Sequence, residues 1–256
     1  MLSSFWDHPD RPSPRLARVV SGLLLAVLFT GLCWTVLFSA GRNWETIWKF
    51  RDAYWSGWLM TLAISAGGLV FSVIFGLVAA LGRRSALLPV RYLATFYIEV
   101  VRGLPFLVLI FLVWYAILDK ATIDRFLTGV IILALFSGAY LAEIFRAGIE
   151  SVGKSQWESA RAIGLTTYQT YRYVILPQAL RRVLPPMTGQ FASIIKDSSL
   201  LSIIGITEFT NRAQGVFSAT YAGLESFLPL GLGYLILTIP ISLMTRRLHK
   251  SLAFDT

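Results

Sequence analysis

The octapeptide Gly148-Ile149-Glu150-Ser151-Val152-Gly153-Lys154-Ser155 satisfies G-x-x-x-x-G-K-[ST], the pattern of loops that cradle nucleotide phosphates. Such a loop works when a strand feeds it and the next helix aims its backbone N–H groups at phosphate. Here the preceding run is long and apolar without strand character, and no strand ending in a magnesium-binding aspartate follows. Nucleotide chemistry is therefore not expected of this chain. A second group is Glu99 and Arg102, followed by Gly103-Leu104-Pro105. Ionisable side chains within an apolar segment are costly and mark functional sites by default. Arg102 suits a substrate carboxylate and Glu99 a substrate ammonium, and at three residues' separation on one helix face they equally suit each other. Gly103 and Pro105 predict a kink behind them. The third group is Lys196-Asp197-Ser198. Neighbouring helical residues point about 100° apart, so Lys196 and Asp197 do not share a partner; a broken helix lining a cavity accounts for such polar density. Substrate contact and a bond from Lys196 to a neighbouring helix end are both open.

Residues 155–177 interrupt the apolar pattern with a polar, basic stretch. Ser155 with Glu158, and Thr166 with Gln169, are each spaced as capping boxes. Gly164 falls where a helix takes a left-handed C-terminal residue, and Pro177 is expected to stop the second helix. The stretch thus encodes a rigid two-helix knob, the form of a docking element. Its arginines, Arg161, Arg172, Arg181 and Arg182, raise the possibility of a DNA-binding helix-turn-helix, but that motif needs a soluble body able to reach a groove. A solvated amphipathic loop at the lipid surface is the plainer alternative.

The elements that must position these groups are membrane helices. Of 256 residues, 55% are hydrophobic and 14% charged, with a mean hydropathy of +0.65; soluble domains carry about 25% charged residues. Six runs reach the roughly 20 residues that span a hydrocarbon core. They lie near Val19–Ala40, Trp58–Leu81, Leu93–Leu118, Gly129–Ile149, Met187–Ile206 and Phe227–Met244. The fold class is all-α, a polytopic helix bundle, since the runs lack a barrel's short alternation. Gly67, Gly68 and Gly76 predict close helix packing in the second span. Cys33 excludes an internal disulfide framework, and His8 and His249 lie far apart, so neither a metal site nor a catalytic triad is expected. The first run exceeds a signal-peptide core, and Phe38 spoils a cleavage site ending at Ala40, so a retained anchor is expected.

Basic residues orient the bundle. Arg83, Arg84 and Arg91 lie between spans two and three. Arg146, Lys154 and the loop arginines lie at or after the end of span four, and Arg246, Arg247 and Lys250 follow span six. The opposite connections hold only Arg42, Lys49, Arg51, Lys120, Arg125 and Arg212. By the positive-inside rule both termini and the two-helix loop are cytoplasmic. The net charge of +9 is thereby a topology signal, and no nucleic-acid partner is expected. Should span three begin before residue 93, Glu99 and Arg102 move toward the cytoplasmic face and become a gate or interface. Glu143 and Arg146, at the end of span four, are expected to set the angle of the loop.

Glu158-Ser159-Ala160, three residues, Gly164, nine residues, then Val174-Ile175-Leu176-Pro177 resembles the EAA loop of ABC-importer permeases. Ser159 stands for an alanine and Val174 for an isoleucine of that pattern. Tyr97 to Pro105, Leu176 to Arg181 and Lys196-Asp197-Ser198-Ser199-Leu200 resemble the polar amino acid branch, whose transmembrane domain is the MetI-like one; the likeness covers roughly residues 55–248. It implies that Glu158, Ser159, Ala160, Gly164, Leu176 and Pro177 couple to a cytoplasmic ATPase, and that Glu99, Arg102, Lys196, Asp197 and Ser198 are candidates for the substrate path. The implied organisation is a cytoplasmic tail (1–18), an added N-terminal span with a periplasmic connection (19–54), the permease domain (55–248, with the coupling loop at 150–185) and a short cytoplasmic tail (249–256). The implied partners are ABC ATPase subunits, an identical or related permease subunit, a periplasmic amino-acid-binding protein and membrane lipid, in a bacterial inner membrane. The chain itself would hold no cofactor; ATP and magnesium belong to the ATPase. A secondary transporter would show paired repeats, which are absent, and a membrane enzyme would need a catalytic cluster. An ABC importer of another small solute remains an alternative.

Overall fold

The computed structural model describes residues 15–38, 44–118 and 123–252. The expected N-terminal tail before residue 15, the end of the first span at Ala40 and the last four residues of the C-terminal tail lie outside the described residues. Among the described residues every regular element is helical. In chain order these are α1 (Arg15–Phe38), α2 (Glu45–Lys49), α3 (Arg51–Arg83), α4 (Leu88–Gly103), α5 (Phe106–Val113), α6 (Arg125–Glu150), α7 (Lys154–Ala162), α8 (Thr167–Gln169), α9 (Leu176–Asp197), α10 (Phe209–Thr220) and α11 (Gly223–Leu252).

The chain divides into two units, residues 1–46 and 47–256. The first holds α1, whose apolar part is Val19–Gly31. The second is the helix bundle. Its centre is the pair α3 and α6, which run in the same direction. A Cβ on Gly67 would lie 3.0 Å from Val130, one on Gly68 3.0 Å from Leu133, and one on Gly76 2.8 Å from the Leu141 Cβ and 3.0 Å from the Gly138 carbonyl. Lipid tails are as apolar as leucine, so burial alone does not drive helices together; close van der Waals packing through small residues does. The expectation of tight packing at Gly67, Gly68 and Gly76 is met, and α6 is the partner. Around this pair Ile64, Ile110, Ile132, Leu133 and Leu201 are fully enclosed, and Phe106 stacks on Phe136 at 4.2 Å.

Helices α3, α6 and α11 are long and apolar enough to cross a membrane on composition and contain the second, fourth and sixth expected spans. The third and fifth differ from single helices. The third begins earlier, at Leu88, and breaks at Leu104 and Pro105, both extended (ψ 143° and 138°). Pro105 has no N–H to continue α4 and excludes helical geometry at the residue before it. It then starts α5, which ends in a π turn over Trp114–Leu118. The expected kink is thus a full break. The fifth run is α9 followed by a 3₁₀ segment, Ser198–Ile204, closed by Gly205 at φ +74°. As anticipated for Lys196-Asp197-Ser198, the regular helix ends there.

Candidate functional site

The two-helix loop is built largely by local rules. Past the end of α7 the chain turns at Gly164, whose φ of +80° only glycine adopts without strain. The Leu165 N–H reaches back to the Ala160 carbonyl (3.1 Å) and the Gly164 N–H to that of Arg161 (2.9 Å). These are the two bonds of a Schellman cap, with Ala160 buried beneath it. Thr166 then opens α8 with a complete capping box: the Gln169 N–H donates to Thr166 Oγ1, and the Thr166 N–H donates to Gln169 Oε1 at 2.9 Å. The other expected box is absent. Helix α7 begins one residue before Ser155, at Lys154, with Gly153 as N-cap and no side-chain bond; Ser155 therefore sits inside the first turn, where its hydroxyl does not serve the first N–H groups. Nor does Pro177 stop a helix. The chain widens into a π turn at Thr170–Ile175 and continues as α9, with Pro177 in its first turn. The Leu176 N–H bonds to the Tyr171 carbonyl, five residues back. The wider turn accommodates a residue that lacks a donor and whose ring would crowd a regular turn.

Inside, the loop is clamped to the bundle. Val152, Ile175 and Ala179 form a buried cluster with Ile149, Trp157, Tyr171 and Val174, and Trp157 meets Tyr171 edge-on at 5.1 Å. Arg182 donates to the Ser151 carbonyl. Gly148 lies against Val183, where a Cβ would collide. Outside, Glu158, Ser159, Gly164, Leu176 and Pro177 are exposed, together with Ile163 (76% exposed), Tyr168 (74%) and Tyr173 (68%). The tip of a polar loop thus presents bare apolar side chains around Gly164. The octapeptide 148–155 is the end of α6, a turn and the start of α7; the strand that phosphate binding requires is a helix here.

Glu99 and Arg102 do not pair with each other among the ion pairs of the described residues. Glu99 takes Arg83 of α3 (3.1 Å), and Arg102 takes Glu143 of α6 (3.5 Å) while lying 5.6 Å over the Tyr140 ring. Glu143 also holds Arg83 (2.5 Å) and Arg146 (2.7 Å), and Arg146 holds Glu150 (2.5 Å). Three helices therefore meet in a lattice of three arginines and three glutamates beside the α6–α7 junction. The residue that sequence reasoning used only for orientation is Arg83, the bridge between Glu99 and Glu143. Its partners are 16 and 60 residues away, beyond the reach of helix spacing.

At the other polar group, Lys196 is exposed, Asp197 half-buried and Ser198 buried, with the Ser198 hydroxyl donating to the Ile195 carbonyl (2.8 Å). A further residue is missed by sequence reasoning. Glu208, fully buried, accepts from the Asn211 N–H (2.8 Å) at the start of α10, from Thr61 of α3 (3.2 Å) and from Tyr234 of α11 (3.1 Å). Its one legible signal is an acid immediately before a helix, which names the cap and not the distant partners.

Residues 72–254 match the family described as binding-protein-dependent transport system inner membrane component. The chain is 36% identical over 211 residues to the glutamine transport system permease protein GlnP of Escherichia coli (strain K12), covering 81% of this chain and 96% of that one. It is 34% identical over 200 residues to the probable glutamine ABC transporter permease protein GlnM of Bacillus subtilis (strain 168), covering 78% and 93%. A crystal structure of an amino acid ABC transporter with histidines superposes with a TM-score of 0.76 at 34% identity, covering 82% of this chain and 98% of that one.

Proposed function

The chain belongs to the inner membrane components of binding-protein-dependent transport systems, and from that membership we propose how its loop and its broken helices work. It is a multi-pass membrane protein and a transport subunit, the permease of an ABC amino acid importer, and not an enzyme.

In our reading the loop at 150–185 docks on a separate ATPase subunit that binds ATP and magnesium. Glu158, with Ser159 beside it, meets the ATPase surface, and Ile163 and Tyr168 fill an apolar recess. Ala160, Gly164, Leu176 and Pro177 hold the shape. The observation that carries this reading is the contrast within the loop: caps and a buried cluster fix it from inside, while its tip exposes large apolar side chains to nothing in this chain. An exposed apolar patch on a rigid polar element is the mark of an interaction site.

Two permease subunits, identical or related, would enclose the path, and a periplasmic binding protein would deliver a polar amino acid; the relatives carrying glutamine in their names support that class. Lys196, Asp197 and Ser198 are assigned to the path. Their helix is not among those long and apolar enough to cross a membrane on composition, and polar, irregular backbone at membrane depth is tolerated where it lines a water-filled cavity. Glu99 and Arg102, bound to α3 and α6 near the loop, are assigned to the cytoplasmic end of that path. The arginine distribution supports cytoplasmic termini and a cytoplasmic loop. The added first span with its periplasmic connection (19–54) precedes the permease domain (55–248), between tails at 1–18 and 249–256.

The test is recovery of partners from native membranes in mild detergent with tagged chain. Wild type should bring down an ATPase subunit stoichiometrically. Glu158→Lys should insert normally, lose the ATPase and abolish uptake; equal recovery and uptake by that variant would remove the docking assignment.

A further inference from the structure

We propose that Glu143 is a positioning residue that couples the docking loop to α4 through exchangeable arginine contacts, with Arg102 as the contact that lets go. The proposal rests on the reading of 150–185 as the ATPase-docking loop.

The Glu143 side chain is only 16% exposed, and its two oxygens touch arginines from three helices. Arg83 (2.5 Å) comes from α3 and Arg146 (2.7 Å) from α6 itself; Arg102, from α4, stands farthest at 3.5 Å. Removing the sole partner of an enclosed charge is strongly unfavourable because the charge is left uncompensated. Here that consequence is avoided. If Arg102 withdraws, the carboxylate keeps two guanidinium groups, and Arg102 keeps the face of Tyr140 at 5.6 Å. The lattice has three positive and three negative groups, so one contact can open without leaving a bare charge.

The mechanical setting gives this exchange a use. Seven residues beyond Glu143, α6 ends in the apolar cluster that clamps α7 and the π turn, so the loop and the end of α6 form one packed body. On the other side, α4 ends at Gly103, one residue after Arg102. The break at Leu104 and Pro105 interrupts its helical hydrogen bonding to α5. No heavy atom lies within 4 Å of a Cβ built on Gly103, so that end of α4 has free space beside it. Along its inner face α4 is held by the fully buried Ile98, packed with Ala79 and Ala142, by the Tyr97 hydroxyl on the Leu135 carbonyl (2.6 Å), and by Val101, buried in the core beside Arg102. A helix held along one face, with its hydrogen bonding broken at one end, rocks about that face. Arg102 is then the handle by which α6, and the loop behind it, turns α4.

The experiment uses the permease–ATPase complex with its binding protein in proteoliposomes, with uptake of a labelled amino-acid mixture and ATP hydrolysis measured together. Arg102→Gln and Glu143→Gln should retain the ATPase and its hydrolysis, while uptake per ATP falls. The double variant should be no worse than Glu143→Gln alone, because both changes remove one link. Arg102→Lys should recover part of the loss. Unchanged uptake per ATP in Arg102→Gln, or losses that multiply in the double variant, would overturn the proposal. If Glu143→Gln does not insert, Arg102→Gln against Arg102→Lys decides alone, since Arg102 is the less enclosed partner. A wild-type chain that recovers no ATPase would instead overturn the docking reading beneath it.

Discussion

Substituting Gly164 isolates the shape of the loop from everything else the loop does. Its φ of +80° lies in the left-handed region, where an L-residue costs about 1–2 kcal/mol because its Cβ crowds the following carbonyl. No heavy atom stands within 4 Å of a Cβ built there, so the new side chain meets nothing, and the penalty is confined to the backbone. At 1.36 kcal/mol per tenfold, alanine should lower the docking-competent loop population about 5–30-fold. Asparagine, which tolerates this conformation, should cost less, and valine, β-branched, should cost more. The assay is titration of detergent-purified chain with its ATPase subunit, read as the dissociation constant. The expected order of weakening is Asn, Ala, Val, with the melting temperature of the bundle unchanged. Alanine binding as tightly as glycine would refute the reasoning, and so would asparagine weakening binding as much as valine, since the two differ in backbone preference and resemble each other in volume.

Three other changes probe the packing. Gly76→Leu should force α3 away from α6, where backbone and Cβ atoms of Gly138 and Leu141 stand at 3.0 and 2.8 Å. Overpacking of this kind costs about 1–3 kcal/mol and should lower the melting temperature in fluorescence-detected size exclusion. Thr166→Ala should destabilise the loop by about 1 kcal/mol through loss of its cap, seen as faster amide exchange over 166–170, whereas Ser155→Ala should leave exchange in α7 unchanged. Glu208→Ala should strand the donors of Thr61, Asn211 and Tyr234 at about 1–3 kcal/mol each. Glu208→Gln keeps acceptor capacity and should retain more of the melting temperature; equal losses would mean that the carboxylate's hydrogen bonds contribute nothing.

Features set by neighbouring residues are legible in the chain's own spacing. The runs that become α3, α6 and α11 read directly as helices, and Gly164 with the Thr166–Gln169 spacing reads as a shaped loop, because caps and left-handed turns depend on residues within five positions of one another. The same locality explains the misreadings. Ser155 and Glu158 have the spacing of a capping box, yet the helix starts one residue earlier, and a one-residue offset empties the box. Pro177 has the chemistry of a helix stop, yet a wider turn before it lets the helix run on.

What the sequence by itself determined is the place of the apolar runs that become α3, α6 and α11, and the left-handed turn at Gly164 and the cap at Thr166. Each follows from composition or from contacts a few residues long. Only the tertiary structure decided whom the charges hold. Glu99 and Arg102 sit at a spacing that suits each other, but α3 and α6 bring Arg83 and Glu143 to them, and Glu208 is met by side chains 147 and 26 residues away. In a low-dielectric interior a buried charge is costly unless it is paired. The partner is whichever side chain the packing of α3 against α6 brings near, and that packing is set by small residues such as Gly76 and Gly138 facing each other across the two helices.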